Sequence, residues 1–187
     1  MNLQRLNEDQ ITELYKEHMV IDFPKAELKP LKMILKSLEE GFYDCFGLFE
    51  EDKMVGYTFM VKLDNSYLID YIAIFPELRN KGIGANLLTL IDDYLETADR
   101  IIGEVEDPVY TDDEAQKELQ TRRLNFYLRN NCKDTNLRVE CFGVHYIVLE
   151  AGKKHCKDKD EAWNLYKGFY KSFLSEDKFN KNIKRLF

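Results

Sequence analysis

Between Asn7 and Met19 the apolar positions fall at Ile11, Leu14, Tyr15 and Met19, three or four residues apart in most steps. That period predicts a helix with one buried face, and Asn7 stands where an N-cap accepts the first free amides. Before it, residues 2–6 read as a short strand. Pro24 and Pro30 punctuate the connection to a second helix over about 27–39, which Gly41 ends. From residue 42 the pattern changes. Residues 42–50 and 54–63 are dense in aromatic and aliphatic side chains, and the Glu-Glu-Asp-Lys turn between them predicts a hairpin. Asp64-Asn65-Ser66 turns the chain into a third strand over 67–75. A loop containing Pro76 leads to a helix over about 82–97, then a strand over 100–106 that Asp107-Pro108 stops. A helix follows over about 113–130, then strands near 137–142 and 144–150 broken at Gly143, and a last helix over about 158–173 with a further turn toward 184. A hairpin run feeding a central βαβα unit predicts an α/β fold: a mixed, mostly antiparallel sheet with helices on both faces and a C-terminal helical extension.

With 187 residues the chain suits one domain with a small appendage. The expected division is a main domain over 1–150 and a helical extension over 151–187, packed on the domain or at a dimer interface. Charge follows the same division. Residues 1–150 carry 17 basic and 29 acidic groups, and residues 151–187 carry 10 and 5, so an acidic body of net −12 is followed by a basic tail of net +5. The overall −7 argues against a nucleic-acid partner. No run of about 18 apolar residues is present, so no membrane span is expected. The opening residues, MNLQRLNEDQ, lack the apolar stretch of a signal peptide. Cys45, Cys132, Cys141 and Cys156 form no CxxC pair and no zinc spacing, and they read as reduced thiols of a cytoplasmic protein. His18, His145 and His155 are scattered, so no metal site is expected, and His145 sits in an apolar run that suits a structural role.

The segment that carries chemistry runs from Tyr71 to Leu88, YIAIFPELRNKGIGANLL. A strand ends, a loop brings Arg79 and Lys81, and Gly82 and Gly84 open an amphipathic helix. The amides at a helix start have no partner within the helix and sit at its positive end, which together suit an anion such as a pyrophosphate. Glycines let that anion approach the backbone. A dinucleotide fold needs GxGxxG, and GIGANL lacks the third glycine; a Walker loop needs GxxxxGK, which is absent.

At this loop the sequence resembles the GNAT superfamily of acyl-CoA-dependent N-acetyltransferases. The family signature is [RQ]-x-x-G-x-[GA], and Arg79-Asn80-Lys81-Gly82-Ile83-Gly84 matches every fixed position. Ile72-Ala73-Ile74-Phe75-Pro76 resembles the hydrophobic strand end before it, and the order of elements matches over roughly residues 2–150. The resemblance implies a GNAT-like sheet and binding of acetyl-CoA as cosubstrate. It implies that the loop from Arg79 to Ala85 holds the pyrophosphate, that Ile72, Ala73 and Ile74 pair with the pantetheine arm as an added strand would, and that Asn125 contributes to the cofactor site.

It also implies where acid and base stand. An amine of pKa about 10 is mostly protonated at pH 7, so a base is useful, and the departing thiolate needs a proton. Glu104 and Glu106 share one face of their strand by periodicity, and the family often places its base there; Asp70 is a further candidate. Tyr127, in Arg122-Arg-Leu-Asn-Phe-Tyr127, is the acid that the resemblance implies. The family pattern around it would put Asn, Ala, Gly and Phe at 120, 123, 131 and 132, where this chain has Gln120, Arg123, Asn131 and Cys132. Asn131 tolerates the left-handed conformation that ends helices and can replace the glycine.

The acidic run 106–114 would flank the acceptor and favour a cationic amine. Trp163, Tyr166, Tyr170 and Phe173 form an aromatic stripe on the tail helix that reads as a docking face. The expected function is transfer of an acetyl group from acetyl-CoA to a primary amine of a small molecule by direct attack in a ternary complex. The alternatives are acetylation of a protein N-terminus or lysine, and a non-catalytic acyl-CoA-binding module.

Overall fold

The computed structural model describes residues 1–25 and 27–186; Ala26 and Phe187, the last residue of the expected extension, lie outside the described residues. The described residues form a mixed α/β fold of eight strands and six helices, divided into two compact units. One comprises Met1–Lys62 with Ile69–Tyr94, the other Leu63–Leu68 with the chain from Leu95 onward.

In the first unit β1 (Asn2–Arg5), β2 (Tyr43–Glu50), β3 (Lys53–Leu63) and β4 (Ser66–Ile74) lie side by side in chain order. The β1–β2 and β2–β3 pairs are antiparallel, with Arg5 opposite Phe46 and Cys45 opposite Phe59. Alternation along β2 sends residues to opposite faces. Phe46 packs edge-on against Tyr94 of α3 (Ile83–Tyr94). On the other face Tyr43 packs against Phe59, and Phe59 continues to Tyr57 and Tyr71, which both meet Phe23 just after the first helix. Helical segments therefore cover both faces, as the sequence pattern predicts.

The first helix begins as predicted. Asn7 Oδ1 accepts from the Gln10 amide, and Gln10 Oε1 accepts from the Asn7 amide, a reciprocal capping box. Its regular part, α1 (Glu8–Leu14), then widens into a π-helical turn over Tyr15–Met19 and closes with an α turn over Val20–Asp22. The second helix is shorter than predicted: α2 spans Leu31–Glu39, with Pro30 at its N-cap. The residue before a proline is pushed away from helical torsions, and the Lys29 amide instead donates to the Tyr71 hydroxyl at 2.8 Å.

In the second unit β5 (Arg100–Glu106), β7 (Val144–Ala151), β6 (Lys133–Cys141) and β8 (Ile183–Arg185) pair antiparallel in that order. Glu104 lies opposite Val148, and Val139 lies opposite Arg185. β6 starts four residues before its predicted edge because Asn136, at φ +61°, breaks the side-chain alternation inside a bulge. The three-residue β8 is too short and too charged to show in the hydrophobic pattern, and the turn predicted before it is the helix α6 (Glu176–Asn182).

Two helices cover opposite faces of β5. Val105 joins Cys132, Ile147 and Leu149 in a core on which Leu124 and Tyr127 of α4 (Glu114–Arg129) pack. Its neighbour Glu104 points the other way and meets Tyr166 and Tyr170 of α5 (Lys159–Phe173). Among the described residues no helix is long and apolar enough to cross a membrane.

Candidate active site

The loop from Phe75 to Ile83 is built by backbone torsions. The Phe75 amide donates to Val55 O at 3.1 Å, which ties the loop's first residue to β3. Pro76–Leu78 make one tight helical turn. Asn80 and Gly82 then adopt left-handed torsions, φ +64° and +80°, and α3 starts at Ile83. Gly82 is exposed, and a Cβ there would meet no atom within 4 Å, so it is the torsion that asks for glycine. Gly56 asks for glycine for another reason. A Cβ on it would lie 2.6 Å from Ala73 O and 3.3 Å from Ile74 Cα, so its bareness lets β4 lie close to β3 at the predicted pantetheine strand. Ile72, Ala73, Ile74, Gly84 and Ala85 are partly exposed, Ile83 is buried, and Asn80 and Lys81 are exposed.

Arg79 is not a free cation. Its Nε donates to Ile74 O at 2.8 Å and its Nη2 to Asp22 Oδ1 at 2.7 Å. The sequence reading missed Asp22, which lies 57 positions away at the end of the first helix.

Asp70 is also engaged. Its carboxylate, 5% exposed, pairs with Lys29 Nζ at 2.6 Å and accepts from the Tyr43 hydroxyl. The Tyr71 hydroxyl donates to Glu27 O, and the Tyr15 hydroxyl donates to Lys29 O. Burial pushes the Tyr43 and Tyr71 phenols well above the ordinary value, and the nearby Asp70 charge adds to the shift.

Of the acid and base candidates, Asp70 belongs to the first unit and Glu104, Glu106 and Tyr127 to the second. Tyr127 stands in the last turn of α4, whose end is a Schellman cap: the Cys132 amide donates to Tyr127 O at 3.1 Å, and Asn131 takes φ +66°. Asn131 thus does what the glycine of the family pattern would do. Burial pushes the Tyr127 hydroxyl up to about 12; Cys132 and Glu106 add to the shift, and Arg123 opposes it. Asn125 is exposed on the same helix.

The departures from the family pattern at 120 and 123 have a common purpose here. Gln120 is buried and links Thr111, whose hydroxyl donates to its Oε1 at 2.7 Å, to Glu106, which accepts from its Nε2 at 3.3 Å. Arg123 forms an ion pair with the same Glu106. Glu106 is therefore held by two side chains of α4, whereas Glu104, expected on the same face of the strand, meets α5 on the opposite side: Glu106 ends β5, where its side chain reaches round to α4. Glu104 accepts from the hydroxyls of Tyr166 at 2.5 Å and Tyr170 at 2.8 Å. The aromatic stripe of the tail announced those tyrosines, but nothing in the sequence named the carboxylate they meet. The acidic run is partly neutralised: besides Glu106, Asp107 pairs with Arg138 at 3.4 Å and caps the Val109 amide. Among the described residues no group of three His, Cys, Asp or Glu side chains is placed to hold a metal ion.

The sequence profile of the acetyltransferase (GNAT) family matches residues 8–127, from the first helix to the phenol of Tyr127. The chain belongs to the GNAT acetyltransferase family. No curated protein matches the sequence at a significant level. Solved structures do match. A GNAT-family protein from Bacteroides thetaiotaomicron is 22% identical, with a TM-score of 0.72 over 92% of this chain and 98% of that one. The ribosomal-protein-S18-alanine N-acetyltransferase of Escherichia coli is 16% identical, with a TM-score of 0.56 over 83% and 95%. An aminoglycoside 6′-N-acetyltransferase complexed with coenzyme A is 12% identical, with a TM-score of 0.58 over 81% and 96%. At these identities the likeness is one of fold. Its reach beyond residue 127 is consistent with a GNAT sheet that continues through β6 and β7.

Proposed function

We propose that the protein transfers the acetyl group of acetyl-CoA to a primary amine of a small molecule, by direct attack within a ternary complex. The observation that carries this reading is the loop from Arg79 to Ala85. Its left-handed Asn80 and Gly82 lead straight into the amides that open α3. Such a backbone supports a pyrophosphate through amides and helix dipole, with Lys81 adding charge. The partly exposed strand end Ile72, Ala73 and Ile74 takes the pantetheine arm by strand-like pairing.

The chemistry follows from the second unit. The amine nitrogen attacks the acetyl carbonyl carbon, the carbon–sulfur bond breaks, and the sulfur leaves as a thiolate. A phenol held at about 12 stays protonated at neutral pH and donates a hydrogen bond to the developing thiolate. Full proton transfer to a thiolate of pKa about 8.5 runs uphill from that phenol, so Tyr127 works mainly by stabilising charge, and completion of the transfer draws on water. Glu106, which shares the surroundings of Tyr127, takes the amine proton through water. Glu104, held by two tyrosines, supports the strand that carries it. The acceptor is read as a small-molecule amine, the kind of acceptor named for the aminoglycoside 6′-N-acetyltransferase whose fold the chain resembles. Four thiols outside disulfides suit a reducing compartment such as the cytoplasm.

A thiol-release assay with acetyl-CoA and a panel of polyamines, aminoglycosides and peptides tests the reading. Turnover with a small amine is expected. Turnover with peptides alone moves the acceptor to protein, and tight CoA binding with no turnover on any amine makes the protein a binding module instead.

A further inference from the structure

The signature arginine of the cofactor loop, though about half exposed, is engaged by the protein itself. Its guanidinium makes two bonds at once, to Ile74 O at the end of β4 and to Asp22 at the end of the first helix. Asp22 is 4% exposed, and its second oxygen accepts from the hydroxyl of Tyr57 at 2.9 Å. Tyr57 is fully buried in the sheet core. The same helical stretch makes a second contact with the loop: the His18 ring, in the π-helical turn, stacks on Phe75 with centroids 4.0 Å apart and planes 10° apart. His18 and Asp22 are one helical turn apart, so one face of this stretch grips the loop at its first residue and again at Arg79.

The charge arithmetic makes this arrangement unusual for an anion site. Asp22 cancels the charge of Arg79 and adds a carboxylate near the place where a pyrophosphate would sit. By charge alone that weakens cofactor binding. By order it strengthens binding, because a loop already fixed in its binding conformation loses less freedom when the ligand arrives. A buried carboxylate between a phenol and a guanidinium is a rigid peg, and charge-assisted bonds of this kind are the stronger ones.

We infer that Asp22 is a positioning residue for the acyl-CoA loop, acting through Arg79, and that Arg79 shapes the loop rather than contacting phosphate as a free cation. This rests on the proposed acyl-CoA site. It adds a residue of the first helix, far in sequence from the loop signature, to the machinery that holds the cofactor.

The test compares wild type, Asp22→Asn, Asp22→Glu, Arg79→Met and the double variant Asp22→Asn/Arg79→Met. Calorimetry measures CoA binding, and initial rates are taken with acetyl-CoA and with S-acetylpantetheine, which lacks the pyrophosphate. Asp22→Asn is expected to raise the Kd for CoA about tenfold and the KM for acetyl-CoA in step, with kcat little changed. Its rate with S-acetylpantetheine should stay within about twofold of wild type, an outcome a general loss of structure would not give. Asp22→Glu should recover part of the affinity, and the double variant should bind no more weakly than the weaker single one, because both changes break one link. Arg79 is about half exposed, so Arg79→Met keeps the test decisive if the Asp22 variants do not fold. CoA binding by Asp22→Asn that is unchanged or tighter overturns the inference, and so does an equal loss with both thioesters. Wild type that fails to bind CoA at all overturns the proposed function instead.

Discussion

The cofactor loop and the acid–base strand solve different problems with different parts of the chain. The loop is mainly backbone: two left-handed residues, one bare glycine under the preceding strand, and the first amides of a helix. The acid–base strand is mainly side chain: Glu104 between two phenols of α5, and Glu106 between Gln120 and Arg123 of α4. Anion binding by backbone needs the right torsions within one short segment. Proton handling needs partners, and partners come from wherever the fold delivers them. The difference teaches where each site is vulnerable, the loop chiefly to changes of torsion, with Asp22 as its one distant support argued above, and the strand to changes at remote positions throughout.

The sharpest way to break the comparison is Tyr127→Phe. Removing the hydroxyl should lower kcat by about a hundredfold or more, the usual worth of a hydrogen-bond donor placed at developing charge, while CoA affinity measured by calorimetry stays near wild type. Gly82→Asp comes next, with CoA affinity down about thirtyfold. The change adds a side chain at a left-handed position and a negative charge at an anion site; its melting temperature should also fall by a few degrees, because a side chain at φ +80° is strained even where a Cβ touches no atom. Unchanged CoA affinity in that variant would remove the loop from the cofactor site. Gly56→Val acts at one remove: a Cβ 2.6 Å from Ala73 O must push β4 away, costing about 1–3 kcal/mol in chemical denaturation and raising the KM for acetyl-CoA. Tyr166→Phe should cost about 1 kcal/mol by leaving a carboxylate oxygen of Glu104 with one donor fewer, with CoA affinity untouched. A loss of CoA affinity there would mean that the two regions are less separate than their different make-up suggests.

The smallest effect is seen only in alkali. Tyr43, Tyr57, Tyr71, Tyr127 and Tyr166 all have hydroxyls raised above their ordinary value, first by burial. The folded protein therefore holds these protons more tightly than the unfolded chain. Their contribution to stability is complete below pH about 10 and is lost as the pH climbs through the raised values. An ultraviolet titration should show these five tyrosines ionising only together with loss of near-ultraviolet circular dichroism.

The same division explains what could be read in the sequence. The loop was legible because its determinants are contiguous: Arg79, Gly82 and Gly84 stand within six residues, and a strand and a helix frame them. Asn131 was legible as a helix stop because left-handed propensity is a property of the residue itself. The hold of Arg123 and Gln120 on Glu106 was not, since it spans 17 and 14 positions and depends on how α4 lies over β5. Asp22 was hidden for the further reason that a π-helical turn precedes it. One extra residue in a helical turn rotates the next turn of the helix by about 100°, so simple counting from Ile11 assigns the wrong face. β8 escaped because three residues cannot establish a period of two.

That short strand has a consequence of its own. Residues 139–141 of β6 would otherwise present an open row of backbone donors and acceptors, the kind of margin to which another chain adds itself. Ile183, Lys184 and Arg185 close it from within the molecule, and the new margin they create is only three residues long, with Lys184 paired to Glu140 and Arg185 to Asp160. The end of the basic tail thus extends the sheet by one strand and covers this stretch of β6 from within the chain.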